Sequence, residues 1–137
     1  MKSKIDRLKD KAWKLCSEYS RRKDANKNGT VKCVTCHTRK NWKELHAGHM
    51  VHGHYSESYL YHKNINPQCV SCNTFKSGNL DVYIEWFIRK HGIDEFYKIR
   101  KMKNTRWKWT EEKLIERIQF YEQKLFELDH PNCEIKD

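Results

Sequence analysis

The sequence predicts an α+β fold in which a small metal-stapled core is flanked by helices at the amino and carboxy termini. Two Cys-x-x-Cys pairs, at 33–36 and 69–72, bracket a stretch with little regular periodicity. Near both chain ends, apolar residues recur at steps of three and four, the period of an amphipathic helix. Only 37% of the 137 residues are hydrophobic and 34% are charged, so the core is small and needs a staple such as a metal.

The amino-terminal segment, residues 1–28, is predicted to form a basic amphipathic helix. Lysine and arginine outnumber aspartate and glutamate on its polar side, which ends in Arg21 and Arg22. A solvated face would explain some of these charges, but the excess of cations favours contact with phosphate groups. The apolar side is a row at helical spacing: Ile5, Leu8, Ala12, Leu15 and Tyr19.

The central segment, residues 29–80, is predicted to be the metal-stapled core. Asn28-Gly29 is a tight-turn signal, and the turn leads into a short strand at 31–34. Residues 37–68 are expected to be irregular apart from brief strand-like stretches. A helix is predicted to start at Asn73.

The carboxy-terminal segment, residues 81–137, is predicted to be a helical extension. A helix from Leu80 to Lys90 is expected to end at Gly92. Its residues expected to be buried are Val82, Ile84, Phe87 and Ile88. A last helix follows Thr110, a favourable N-cap. Its apolar seam suits another helix, either in the same chain or across a homodimer: Leu114, Ile118, Tyr121, Leu125 and Leu128.

The charge of the chain predicts nucleic acid as its partner. The formal net charge is +10 and the pI is near 9.3, a balance that favours polyanions, although a basic protein can also touch nucleic acid non-specifically. Trp107 and Trp109 lie in a basic run. Their rings could stack on splayed bases, but burial in the core is the favoured interpretation. The cations predicted to contact phosphates there are Arg100, Lys101, Lys103, Arg106 and Lys108.

The sequence also predicts a cytoplasmic location. It has no apolar run long enough for a membrane span, and its first residues lack the apolar region of a signal peptide. Thiols stay reduced in the cytoplasm, where paired Cys-x-x-Cys motifs usually bind metal. Cys16 and Cys133 lie outside the pairs and are expected to be free thiols.

The two cysteine pairs predict one structural zinc site. Their four thiolates are those of Cys33, Cys36, Cys69 and Cys72, the ligand set of a closed tetrahedral site. Redox-active dithiols are the alternative, but the surrounding sequence lacks the βαβ pattern that accompanies them. Because four sulphur ligands saturate zinc, any chemistry must come from residues that the zinc site holds in place.

The segment between the cysteine pairs is rich in histidine and asparagine. Because zinc ties its ends together, residues near His49 are expected to meet residues that follow Cys72. A histidine that accepts a proton from water and an asparagine oxygen that binds a hard cation form a reasonable hydrolytic site. The alternative, histidines that fill a small irregular core or contact phosphate, suits His52, His54 and His62.

Residues 33–76 resemble the HNH (ββα-metal) nuclease motif of the zinc-stapled kind. That motif has a histidine at the end of its first strand, an asparagine five residues before the second Cys-x-x-Cys, and a histidine or asparagine after it. Here these positions are His49, Asn64 and Asn73, and Lys76 stands where a basic residue is common. A closer resemblance, over about residues 10–128, is to the NinG/Rap family of lambdoid phages, through CVTC, HAGHM, NINPQCVSCN, KSGNL and RWKWTEEKL.

The resemblance implies a ββα-metal core and an endonuclease that leaves 5′-phosphate and 3′-hydroxyl ends. It makes His49 the general base, Asn64 a hydrogen-bonding partner near that ring, and Asn73 a ligand of a catalytic Mg²⁺ or Mn²⁺ ion. Many HNH sites carry an aspartate or histidine directly before the base, but here Gly48 stands there, and His46 replaces the acidic residue three positions before the base. With His46 as a second ligand, the preference would shift towards Mn²⁺, Ni²⁺, Co²⁺ or Zn²⁺.

Members of the resembling family are implicated in phage recombination, as nucleases of Holliday junctions and other branched DNA. That implies a branched DNA substrate and, for a phage protein, the host cytoplasm. Two alternatives fit part of the pattern. One is an HNH nuclease that nicks or cuts DNA without specificity. The other is a non-catalytic zinc-ribbon DNA-binding module, which would explain the cysteines and the charge but not the spacing of His49, Asn64 and Asn73.

Overall fold

The computed structural model describes residues 1–131 as an α+β fold. Its helices and strands are α1 (Lys4–Arg22), β1 (Thr30–Lys32), β2 (Arg39–Asn41), β3 (His46–His49), β4 (Ile65–Gln68), α2 (Leu80–His91), α3 (Ile93–Asn104) and α4 (Glu111–Asp129). Cys133, expected to be a free thiol, lies outside the described residues. No helix within residues 1–131 is both long and apolar enough to cross a membrane.

The two terminal helices pack against each other. Ser3 caps α1 through a reciprocal pair of hydrogen bonds with Asp6, and the Thr110 hydroxyl caps α4 by accepting a hydrogen bond from the Lys113 backbone at 3.2 Å. The apolar seam predicted for α4 packs against Ala12 and Cys16 of α1, so its partner helix lies in the same chain. The buried seam residues are Leu114, Ile118, Tyr121 and Leu125.

Both tryptophans of the basic run join this core. Trp109 is buried, and Trp107 is half-buried with its ring meeting that of Trp109 edge-on at 5.3 Å. Burial was the interpretation that the sequence favoured for this pair. Their rings therefore anchor the link between α3 and α4, leaving Arg106 and Lys108 exposed to solvent.

Two short antiparallel hairpins form the centre of the molecule. β1 pairs with β2, and β3 pairs with β4 in a register that sets His46 opposite Gln68 and His49 opposite Ile65. The strand expected at 31–34 therefore starts and ends slightly earlier, at Thr30–Lys32. β4 lies in the stretch that was expected to be irregular. The sequence did not predict this strand because its polar residues are buried and break the usual apolar–polar alternation.

The chain after β4 reverses direction within a few residues. A π-helical turn at Ser71–Phe75 contains Asn73, where a helix was predicted to start. Ser77, Gly78 and Asn79 then all have positive φ angles, of 50°, 90° and 49°. This left-handed run ends the turn and starts α2 in a new direction.

α2 confirms the predicted helix and most of its buried face, because Phe87 is buried and Ile84 and Ile88 pack against the same core cluster. Val82 is the exception. Val82 is 40% exposed, whereas Tyr83 is fully buried together with Phe87. The prediction for Val82 was wrong because the helix buries the adjacent Tyr83 instead. The Tyr83 hydroxyl has two buried partners: it donates to the Gly48 carbonyl at 2.7 Å and accepts from Asn66. A tyrosine with both partners is stable in the core.

α3 follows α2 directly and was not predicted. Gly92, expected to end α2, does so with a φ angle of 92°, and the next helix starts at the following residue. The signal for α3 was weak because only two residues on it, Phe96 and Ile99, are buried. Three of the cations predicted to contact phosphates lie on this helix: Arg100, Lys101 and Lys103.

We expect Leu114→Ala to destabilise the protein by about 2–5 kcal/mol, because it leaves a cavity between α4 and α1. Leu114 is fully buried, whereas its neighbour Ile115 is 37% exposed. Ile115→Ala is therefore the matched control and should change the free energy of unfolding by no more than about 0.5 kcal/mol. Chemical denaturation of the zinc-loaded variants measures both. Equal losses in the two variants would contradict this packing.

Candidate functional site

Four cysteine side chains converge between the two hairpins. The Sγ atoms of Cys33, Cys36, Cys69 and Cys72 all lie within 4.8 Å of one another, as the ligands of one tetrahedral ion do. The first pair lies on the turn after β1, where His37 adopts a φ angle of 65°. The second pair begins directly after β4, so the cluster joins the end of one hairpin to the other.

Two threonine hydroxyls favour the charged form of these thiols. Thr35 Oγ1 and Thr38 Oγ1 each lie 3.2 Å from a sulphur, those of Cys33 and Cys36 respectively. Burial tends to raise the pKa of Cys36, but the contacts with Thr38 and the neighbouring thiols outweigh it and lower that pKa to about 6. Burial and the neighbouring thiols raise the pKa of Cys69 to about 11. The first cysteine pair is therefore the readier to ionise, and a zinc ion, which binds thiolates, would favour the ionised form of Cys69 as well.

The β3–β4 hairpin and the turn after Cys72 place His46 beside Asn73. The Asn73 side-chain amide lies 3.0 Å from His46 Nδ1. Both residues line an open groove of about 450 Å³, whose other wall comes from α1 and contains Trp13 and Arg21. Lys43 also lines this groove. The sequence predicted that residues near His49 would lie close to residues that follow Cys72. The contact between His46 and Asn73 is of this kind.

His49 lies at the end of β3, with its ring held by backbone and aromatic contacts. Its Nε2 lies 2.9 Å from the Tyr59 carbonyl oxygen. A carbonyl only accepts, so Nε2 carries the proton and Nδ1 carries the lone pair. The ring is nearly parallel to those of Trp13 and Tyr59, with centroids 5.0 and 5.3 Å away.

Burial lowers the pKa of His49 below its ordinary value. The hydrogen bond to Tyr59 acts in the opposite direction, while the nearby rings of His52 and His54 add to the lowering. The imidazole is therefore neutral at neutral pH, and Nδ1 can accept a proton. Chemically, the arrangement is that of an oriented base whose stacking partner, Trp13, lines the groove.

Asn64 is fully buried and holds backbone, not the His49 ring. Its Oδ1 accepts a hydrogen bond from the Val51 backbone, and its Nδ2 donates to the Val51 and Ser58 carbonyls, each at 2.9 Å. These bonds close the 51–58 loop, which leads into Tyr59. Because the Asn64 side chain bonds only to the loop backbone, the His49 ring instead donates its hydrogen bond to the Tyr59 carbonyl.

A family model described as the bacteriophage lambda NinG protein matches residues 1–131. The chain belongs to the NinG family. Searches of the curated proteins and of the solved structures found no match. The matched range contains the cysteine cluster, both hairpins and all four helices.

The cations predicted to contact DNA occupy different surroundings in this NinG-family chain. Arg21 lines the groove beside Asn73, but Arg22 pairs with Glu18 at 3.0 Å and with Asp129 at 2.6 Å. Arg22 is therefore paired with two carboxylates, which a phosphate group would have to displace. Lys76 is exposed directly after the Ser71–Phe75 turn.

A second concave surface lies on the α3 side of the hairpin. Arg100 and Lys103 line a cavity of about 370 Å³ together with His52. The ring of His52 lies 6.3 Å from that of His49, so this cavity adjoins the base. The remaining predicted cations, Lys101, Arg106 and Lys108, are exposed.

Sequence reasoning missed several residues that shape the site in this family member. Trp13 looked like part of a helix, and Tyr59, which acts through its backbone carbonyl and its stacked ring, lies in an irregular loop. Neither residue therefore carried a sequence signal. Lys43 was one cation among many. Gln68 had a detectable signal, because Asn64, Asn66 and Gln68 alternate as in a strand with one polar face.

We expect the purified protein to contain zinc and Cys69→Ser to lose it, because three remaining thiolates bind the ion far more weakly. Because a zinc ion in this cluster would hold the hairpins together, circular dichroism should show loss of structure in that variant. Cys16→Ala is the control: Cys16 is also buried but packs between α1 and α4. Elemental analysis of both variants measures the metal. Full zinc occupancy in Cys69→Ser would contradict the site.

Proposed function

We propose that this chain is a metal-dependent endonuclease of the HNH type that hydrolyses phosphodiester bonds in branched DNA during phage recombination. The observation that carries the proposal is the state of His49. Its ring is neutral, its proton is fixed on Nε2 by the Tyr59 carbonyl, and it stands at the end of a strand whose other end meets Asn73. A strand hairpin followed by the Ser71–Phe75 helical turn is the order of elements in a ββα-metal core.

The chain's own residues account for activation of the nucleophile. Nδ1 of His49 takes a proton from a water molecule, and the resulting hydroxide attacks the phosphorus in line with the departing 3′ oxygen. Trp13 and Tyr59 keep the ring in one plane, so the base does not have to be oriented during the reaction. Asn64 acts as a positioning residue, because it holds the loop that leads to the Tyr59 carbonyl.

Asn73 and His46 suit a divalent ion by their chemistry. An amide oxygen binds hard cations and an imidazole nitrogen binds transition ions, and the two side chains touch beside the groove. When bound, such an ion would neutralise the negative charge that develops on the phosphate and the departing oxygen. Asn73 is half-exposed and His46 exposed, so both can reach a phosphate group.

Basic residues on both sides of the hairpin support DNA as the substrate. Arg21 and Lys43 flank Asn73, while Arg100 and Lys103 line the cavity beside His52. Their charges can hold phosphates of one strand on either side of the bond to be cut. Lys76 extends the same surface beyond Asn73. The chain's resemblance to the NinG/Rap family, whose members are implicated in phage recombination, supports branched DNA as the substrate.

The test is a cleavage assay of wild type and His49→Ala on a four-way junction, a flap, linear duplex and single-stranded DNA, with Mg²⁺ or Mn²⁺. We expect cutting of branched DNA, reduced about 10²- to 10⁴-fold in the variant, which loses its general base. His130→Ala alters an exposed histidine at the end of α4 and is the matched control. His49→Ala should keep its zinc and bind the junction as wild type does.

Each outcome of that assay decides between functions. Paired, symmetric cuts in the junction would support a resolvase acting as a dimer. Equal cutting of every duplex would retain the HNH chemistry and remove the preference for branches. If no substrate is cut with either ion, the chain is a zinc-stapled DNA-binding module instead.

The cleavage rate should be level at neutral pH and fall only below about pH 6.5, the ordinary pKa of histidine. Burial lowers the pKa of His49, so the free base persists to a lower pH and is lost only as the pH drops through that lowered value. Single-turnover rates at saturating Mn²⁺, with DNA binding followed in parallel, measure the profile. A midpoint above pH 7 on the acid side would exclude His49 as the titrating base.

A further inference from the structure

A buried amide oxygen faces the space between Gly48 and Asn73 without a hydrogen-bond donor. Gln68 at the end of β4 is fully buried, and within residues 1–131 its Oε1 has no hydrogen-bond partner. Leaving a buried acceptor unpaired costs about 1–3 kcal/mol, so such an atom calls for an explanation.

The orientation of the Gln68 amide is fixed by its donor side. Nε2 donates to the Gly78 carbonyl at 2.8 Å and lies 3.3 Å from Thr35 Oγ1. Because a carbonyl cannot donate, exchanging the two ends of the amide would set two oxygens against each other. Oε1 therefore points away from Gly78 and towards Gly48.

The neighbouring buried amides show how unusual this oxygen is. Asn64 Oδ1 accepts from the Val51 backbone, and Asn66 Oδ1 accepts from the Lys23 ammonium at 3.1 Å. Both asparagines also use their Nδ2 groups as donors. Along this row of three amides, the oxygen of Gln68 alone accepts nothing within the part of the chain that the structure describes.

Gly48 leaves the room that this oxygen occupies. A Cβ atom on Gly48 would stand 2.0 Å from Gln68 Oε1 and 3.1 Å from Asn73 Oδ1. Both amide oxygens thus converge on the same space in front of Gly48, and any side chain there would displace Gln68. On the other side of Asn73, its Nδ2 lies 3.0 Å from His46 Nδ1, which turns Oδ1 towards this space.

We propose that Gln68 Oε1 and Asn73 Oδ1 together bind the divalent cation of this site. Amide oxygens are good ligands for hard cations, and a cation would satisfy the unpaired acceptor of Gln68. The inference rests on the proposed function, because it adds a ligand to the ion of that proposal. The inference makes Gln68 a metal ligand. Gln68 lies on β4, directly opposite His46 on β3.

Amide oxygens carry no net charge, so Gln68 and Asn73 leave the full positive charge on the cation. The site therefore holds the ion weakly by itself, and a DNA phosphate beside Asn73 supplies the missing negative charge. We expect the affinity for Mn²⁺ to rise when DNA is bound.

The test measures Mn²⁺ binding by electron paramagnetic resonance, in zinc-loaded His49→Ala protein bound to an uncut four-way junction. Adding Gln68→Met removes the oxygen at similar volume and should weaken Mn²⁺ binding about 10-fold or more. Adding Gln68→Glu supplies a carboxylate and should retain or tighten binding. Gln123→Met, on the exposed side of α4, is the matched control and should change nothing.

Unchanged Mn²⁺ affinity in a zinc-loaded Gln68→Met variant would overturn the inference and leave Gln68 as a brace for Gly78. If that variant loses its zinc, the inference is tested on the wild-type protein instead. Its only glutamines are Gln68, Gln119 and Gln123, so ¹⁵N-glutamine labelling gives three side-chain amide signals. Mn²⁺ should broaden the signal of Gln68 and spare the two on α4. Three equally sharp signals at saturating Mn²⁺ would overturn the inference as well.

These readouts separate the two proposals. If wild type cuts no DNA but Gln68→Met still weakens Mn²⁺ binding, the cation site stands and the nuclease function fails. If His49-dependent cutting is found while Mn²⁺ binding ignores Gln68, the nuclease function stands and the ligand assignment fails.

Discussion

The cysteine cluster is the constraint on which the centre of the molecule depends. Between α1 and α2 the strands are only three or four residues long, too short to form a stable sheet by themselves. The cluster fastens the turn after β1 to the residues directly after β4. A zinc ion in such a cluster contributes on the order of 10 kcal/mol, comparable to the net stability of a whole domain. The position of everything that follows Cys72, Asn73 included, depends on it.

β4 carries this constraint from the cluster to the site. All four of its residues are buried, and its polar side chains replace the apolar contacts that a larger core would supply. Asn66 illustrates the role: it accepts from Lys23 of α1 and donates to Tyr83 of α2, while Tyr83 donates in turn to Gly48 of β3. One strand thus sets the relative positions of two helices and the neighbouring strand. Because buried amides are costly when unpaired, few other arrangements of the hairpin are stable.

α1 couples the helical core to the groove. One side of the helix packs on α4, and another supplies Trp13 to the ring of His49 and Arg21 to the groove wall. A change that shifts α1 on α4 would therefore also move the aromatic support of the proposed base. α1, which packs on α4, thus forms the second side of the same site.

The sequence by itself determined the features that depend on neighbours along the chain. Cysteine spacing predicted the four-cysteine cluster, apolar periodicity predicted the terminal helices, and Thr110 and Gly92 marked helix ends, because each is decided within a few residues. Only the tertiary structure decided which nitrogen of His49 is free, which carboxylates hold Arg22, and that Gln68 lies buried with an unpaired oxygen. These depend on groups distant in the sequence, brought together by packing, and no local pattern records such a contact.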